Sequence, residues 1–219
     1  MQRAILTSKT EIGRHGIKEI SIRNGNTQQR RPTVKKKKIQ IRPVDEQLHA
    51  ACRNLSADGI IKAVQSGANV NAPDADGYSP LDIVADAVDG WANYRHDSEL
   101  QKKVQKVVDV LIGYGANPDG LTGECVPLKT FAWSCGDKHI CSKLARAGAN
   151  LNMDFDGTTI LDLVVLESIH LDIQLRDGNP DVKPEDIERM EIVAESLERW
   201  GAKTSDELIE KTNEQETEQ

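Results

Sequence analysis

The chain has 219 residues, a net charge of −7, 38% hydrophobic and 29% charged residues, and eight aromatics (three Trp, three Tyr, two Phe). That length allows one ordinary domain plus an appendage, while no apolar run approaches the roughly 20 residues of a membrane helix. The first residues also lack the roughly 7–15-residue apolar segment of a secretory signal, so the four cysteines read as buried thiols of a reducing compartment. A membrane protein, a secreted disulfide scaffold and a wholly disordered chain are disfavoured, and the expected location is the cytoplasm or the interior of a host cell.

Residues 1–43 hold twelve Lys/Arg against two acids, Glu11 and Glu19, a net of +10 that leaves −17 on the remainder. This basic arm includes Arg30, Arg31, Lys35, Lys36, Lys37 and Lys38, and its hydrophobic content is too thin for a core of its own. It is expected to be mostly irregular, flexible or at most a weak hairpin. Ile20-Ser21-Ile22 and Ile39-Gln40-Ile41, flanking Asn24-Gly25, have the alternation such a hairpin needs. Three roles are open: a leader lying partly on its own acidic body, a nucleic-acid-tethering or import patch, and a docking segment for an acidic partner. The arm has no aromatic residue, so it lacks a base-stacking platform. Any nucleic-acid contact there is electrostatic and blind to sequence.

From residue 44 to 205 the chain repeats itself. Gly67-Ala68-Asn69-Val70-Asn71, Gly115-Ala116-Asn117-Pro118 and Gly148-Ala149-Asn150-Leu151-Asn152 are near-copies, and Gly201-Ala202-Lys203 is a weaker fourth. Each follows a stretch of helical periodicity, such as Val104, Val107, Val108 and Leu111, and glycine suits the left-handed residue that closes a helix. About a dozen residues later come Asp76-Gly77-Tyr78-Ser79-Pro80-Leu81, Glu124-Cys125-Val126-Pro127-Leu128 and Asp156-Gly157-Thr158-Thr159-Ile160-Leu161. Asp-Gly makes a tight turn, Ser or Thr caps a helix, and Pro suits its first turn.

At these residues the chain resembles the ankyrin-repeat family, with its Thr-Pro-Leu-His helix starts, Gly-Ala-Asn helix ends and period of about 33 residues. Asp45-Glu46-Gln47-Leu48-His49-Ala50-Ala51 fits the opening of a first repeat; Asp82, Lys129 and Asp162 replace the usual His, and Ile160 the usual Pro. The resemblance implies an all-α solenoid of stacked helical hairpins that bind a partner protein across a concave face. The family's surface positions fall here on Ala75, Asp76, Tyr78, Thr122, Cys125, Trp133, Ser134, Phe155, Asp156 and Thr158.

Spacing shows what has been added. The helix-opening leucines Leu48, Leu81, Leu128 and Leu161 are 33, 47 and 33 residues apart, and from each to its closing glycine the distances are 19, 34, 20 and 40. Relative to the first repeat, the second carries 15 extra residues, the third one and the fourth 21. Repeats two and four are therefore expected to be elongated helical hairpins either side of a short third. A notch should open above the third repeat's loop, near Trp133, Lys138 and His139. Trp91, Tyr94 and His96 would form one wall and Asp177-Gly178-Asn179 the other. Residues 206–219 read as an acidic tail.

There is no phosphate-binding Gly-rich loop, no His-Glu-x-x-His and no Gly-x-Ser-x-Gly elbow. Cys135, His139 and Cys141, with Cys125 nearby, lack the second ligand pair of a zinc site. His49, Asp82 and Asp162 sit where the resemblance implies a hydrogen bond between neighbouring turns, a structural role. No cofactor, small-molecule substrate or enzyme is expected. The reading is a non-catalytic scaffold for one folded protein with a basic site, acting as an inhibitor, immunity protein or effector. Its partner-binding candidates are Asp76, Tyr78, Trp91, Tyr94, His96, Trp133, Lys138, His139, Phe155 and Asp156. The alternative is a nucleic-acid-linked regulator that uses residues 1–43 while the repeats recruit another protein.

Overall fold

The computed structural model describes residues 41–89, 94–121 and 126–217. The basic arm, with Arg30, Arg31 and Lys35 to Lys38, lies outside the described residues, as do Trp91, Thr122 and Cys125. Among the described residues every regular element is helical, and no helix is long and apolar enough to cross a membrane.

The helices come in four pairs. The first is α1 (Pro43–Arg53) with α2 (Ala57–Gln65), and the second α3 (Pro80–Val88) with α4 (Ser98–Gly113). The third begins as a single α turn, α5 (Pro127–Lys129), runs on as a π-helical turn over Thr130–Ser134, and is completed by α6 (Lys138–Arg146). The fourth is α7 (Ile160–Arg176) with α8 (Pro184–Trp200), after which comes α9 (Ser205–Thr217). Within each pair the helices pack on one another. Successive first helices form one row (α1, α3, the π turn, α7), and successive second helices form another (α2, α4, α6, α8). Leu48, Ile60, Leu81, Val108, Leu111, Phe131, Leu144, Leu161 and Leu197 are buried in one continuous core between the rows.

Local chemistry starts α3 and α7 where the repeat signature falls. Ser79 accepts the Asp82 N–H while Asp82 accepts the Ser79 N–H, and Thr159 and Asp162 do the same. These are capping boxes, which satisfy backbone donors that a helix start leaves orphaned. Between pairs, the second asparagine of the Gly-Ala-Asn-x-Asn signature reaches forward. Asn71 Nδ2 donates to the Gly115 carbonyl at 3.0 Å while its Oδ1 accepts the Asn117 N–H at 2.7 Å. Asn152 does the same to the Gly201 carbonyl (3.3 Å) and the Lys203 N–H (2.8 Å).

The residue after the opening leucine also ties neighbours. His49 Nε2 lies 2.9 Å from the Ala72 carbonyl, Asp82 Oδ2 accepts the Leu121 N–H at 3.0 Å, and Asp162 Oδ2 accepts the Ser205 N–H at 2.9 Å. The two carboxyls titrate in opposite directions. Burial raises Asp82 above the usual carboxylate range against its hydrogen bonds. At Asp162 burial also pushes upward, but the bonds from Thr159 and Ser205 outweigh it and hold the group below that range. A depressed carboxyl contributes stability that is present above its unfolded value and lost as pH falls through its folded one. Asp162→Asn should therefore cost about 1–2 kcal/mol at neutral pH and nothing in strong acid, while Asp82→Asn should cost less at neutral pH. Urea midpoints measured across the acid range check this; parallel pH profiles for the two variants would contradict it.

Two expectations need correction. The second pair is not an elongated hairpin throughout. Its first helix has only 9 residues, α4 is longer at 16, and Tyr94–His96 before α4 form a 3₁₀ turn. α3 ends at Val88 with Asp89 as its C-cap, and Asp97 starts α4 by capping the Glu99 and Leu100 N–H groups. Residues 206–219 are not a bare tail either, since α9 runs through Thr217 from a Thr204–Glu207 cap.

Candidate partner-binding site

Residues 94–97, just before α4, lie over the loop that joins the π turn to α6, with α7 and α8 beyond it. These elements bound a cleft of about 490 Å³ whose lining includes Asp89, Arg95, His96, Ser134, Glu167 and Asp186. It occupies the position where the repeat spacing anticipates a notch.

Arg95 holds the cleft together. Its Nε donates to the Ser134 carbonyl at 3.1 Å, and its Nη2 to the Trp133 carbonyl at 3.1 Å and to Glu167 Oε1 at 3.0 Å. One guanidinium thereby fastens the 3₁₀ turn before α4 to the end of the π turn and to α7. Arg189 of α8 returns the tie, donating to the Arg95 carbonyl at 3.0 Å. Gln101 Nε2 secures the carbonyls of Tyr94 and Arg95 at 2.7 and 3.0 Å. Arg95→Ala leaves two carbonyls and Glu167 without their donor, with both charged side chains only part-exposed (15% and 20%). The expected loss is about 1–2 kcal/mol, with amide exchange accelerating in residues 94–97 and 134–137 before the rest of the chain. Uniform acceleration would show that Arg95 supports the whole stack instead.

The aromatic wall differs from the sequence reading. Tyr94 is 1% exposed and donates its hydroxyl to Asp137 Oδ2 at 2.7 Å, with burial and that carboxylate both raising its pKa. It is a strut beneath the cleft and offers a partner no surface; α-helical periodicity could not reveal this, because Tyr94–His96 form a 3₁₀ turn. His96 does face the cleft, exposed, with its Nε2 3.7 Å from Asp186 Oδ2. Lys138 and His139 line a second hollow of about 430 Å³ against α4 and α8. His139 also lies 3.5 Å from Asp109, which pairs with Lys143 at 3.0 Å. Cys135 and Cys141 are buried, and burial pushes the Cys135 thiol up to about 12, the behaviour of packed side chains.

The other candidates lie on the row of first helices. Arg53, Asp86, Trp133 and Leu166, each five residues after its opening leucine, are all exposed. Lys129 joins two of the predicted aromatics, with its Nζ 4.9 Å from the Phe155 ring centre and 5.5 Å from that of Trp133, a cation–π arrangement. Asp156 is exposed beside Phe155 in a left-handed conformation (φ 55°). Asp76 and Tyr78 sit two pairs away, in the turn before α3, where Asp74 Oδ1 accepts both their N–H groups.

The cleft is acidic. Glu167 is paired with Arg95, but Asp89 and Asp181 form no ion pair with Lys or Arg among the described residues. Those residues also contain no cluster of His, Cys, Asp or Glu arranged to hold a metal ion. No protein-family model and no curated protein matches the sequence.

Proposed function

We propose that the chain is a non-catalytic binding protein, built as an ankyrin-repeat stack, that recognises one folded protein bearing a basic side chain at its contact. Four helix pairs in two rows, with asparagine ties after the first and third Gly-Ala-Asn and Asp119 accepting the Asn150 N–H after the second, support the ankyrin reading. The observation that carries the binding reading is the acidic cleft beside the Trp133–Lys129–Phe155 group. A recess with charge on its rim and an aromatic cluster beside it is the form of an interface hot spot. The acidic body, −17 beyond residue 43, steers a basic partner toward it. An inhibitor or immunity protein against a nucleic-acid enzyme has this electrostatic form.

Retention of a discrete partner on immobilised protein, measured at rising salt, tests the reading. Binding should weaken with salt and fall further with Asp181→Lys or Trp133→Ala. Retention indifferent to salt and to both substitutions would remove it. The net of +10 in residues 1–43 favours a second reading, a nucleic-acid-linked regulator. Salt-sensitive binding to a random duplex, lost on deleting residues 1–41, would establish that reading in place of the first.

A further inference from the structure

We infer that the uncovered side of α7 is a docking face for a basic amphipathic helix of a partner protein, separate from the acidic cleft. α7 buries Ile160, Leu161, Val164 and Leu171 against the rest of the stack. Its opposite side carries Leu166, Ile169 and Ile173, exposed by 58%, 52% and 50%. Their spacing of three and four residues keeps all three within an arc of about 60° at 100° per residue. A helix apolar on both sides belongs between two partners, and among the described residues only one is present.

The chain's next element does not supply the other. α9 starts beside the first turn of α7, where the Ser205 N–H binds Asp162 and Thr159 Oγ1 donates to the Lys203 carbonyl. Of its 13 residues only Leu208 and Ile209 are apolar, and Ile209 is 58% exposed. The rest of α9 is acidic, with Asp206, Glu207, Glu210, Glu214 and Glu216 against the single Lys211. The face is therefore an apolar stripe with an acidic helix starting at its edge. Its complement is a helix with Leu, Ile or Val at i, i+3, i+4 and i+7 and Lys or Arg on its flanks. A second copy is the weaker fit, because it would bring two acidic bodies and two acidic α9 helices together.

The inference rests on reading the chain as a binder but not on the cleft, and its test uses neither the cleft nor an unknown partner. The probe is a fluorescent Leu/Lys peptide of about 18 residues with leucines at that spacing, titrated against the full chain by anisotropy beside a scrambled peptide of equal composition. The periodic peptide should bind at least about tenfold more tightly than the scramble. Ile169→Asp should erase that difference, about tenfold, by placing a charge in the stripe, with an unchanged circular-dichroism melt because Ile169 is half exposed. Glu210→Lys should weaken binding at about 50 mM salt and not at about 300 mM. Asp86→Lys, on α3, should leave affinity unaltered.

Equal binding of periodic and scrambled peptides, or indifference to Ile169→Asp, overturns the inference. Loss on Asp86→Lys with Ile169→Asp silent would move the peptide to α3, overturning the inference while sparing the proposed function. A chain that sediments as a dimer, becomes monomeric with Ile169→Asp and ignores the peptide would assign the face to a second copy, and that too overturns it.

Discussion

Asp137→Ala should lower stability by about 3 kcal/mol, more than any other single loss of a polar group in this chain. Asp137 is 4% exposed and works in two directions. Its Oδ1 caps α6 by accepting the Ile140 N–H at 3.0 Å, worth about 1 kcal/mol. Its Oδ2 accepts the Tyr94 hydroxyl at 2.7 Å and the Gln105 amide at 3.0 Å. Alanine would strand the buried hydroxyl, and each buried donor left without an acceptor costs about 1–3 kcal/mol. Tyr94→Phe removes only the donor and should cost about 1–2 kcal/mol, since Asp137 keeps Gln105 and Ile140. The double variant should cost about 1 kcal/mol less than the two singles together, because the stranded hydroxyl is then gone. Urea denaturation of the four proteins measures this. Additive losses would show that the Tyr94–Asp137 bond contributes little and that Asp137 is only a helix cap.

How far this architecture is visible in the residues depends on whether the responsible contact is local. The spacing of Leu48, Leu81, Leu128 and Leu161 anticipates four pairs, and the Asp-Gly and Gly-Ala-Asn signatures mark where helices begin and end, because caps and turns are short-range chemistry. The third repeat's one extra residue is visible too, as a distance of 20 against 19. Its form is not. The structure absorbs it as the π turn Thr130–Ser134, with the Cys135 N–H reaching the Thr130 carbonyl five residues back, one residue more than an α turn takes. That turn lies immediately before the loop under the cleft and carries Trp133. Arg95 was beyond sequence reasoning. Its partners Glu167 and Arg189 lie 72 and 94 residues away, and nothing local distinguishes it from other exposed arginines. Tyr94 was misplaced for the same reason: its burial is set by Asp137, 43 residues on. The stripe on α7 was legible as composition, since Leu161 to Leu175 is apolar in every direction around the helix. The absence of a neighbour against it among the described residues was not.

Gly120→Ala should be among the most damaging one-carbon changes available here, about 3 kcal/mol, and it separates two penalties that glycine substitutions usually mix. Gly120 has φ +70° and closes the turn in which Asn117 Nδ2 donates to the Gly120 carbonyl at 2.6 Å. A side chain in that left-handed conformation costs about 1–2 kcal/mol. A Cβ there would also overlap the Asp82 carboxylate, which is buried and cannot swing clear without losing the Leu121 N–H at 3.0 Å and the Ser79 N–H at 2.8 Å. The first of those bonds links the second pair to the turn before the third and the other completes the α3 capping box, and breaking them adds about 1–2 kcal/mol. Two neighbours isolate the terms. Gly115 has φ +84° with nothing within 4 Å of a Cβ, so Gly115→Ala should show the backbone penalty alone. Gly113 ends α4 with equally open space and no positive φ, so Gly113→Ala should be neutral or raise stability by about 0.5–1 kcal/mol, as alanine does in a helix. Thermal midpoints should therefore fall in the order Gly113→Ala, Gly115→Ala, Gly120→Ala. If Gly115→Ala and Gly120→Ala lost the same amount, Asp82 would be yielding freely, and its hydrogen bonds would not be what holds the second pair to the third.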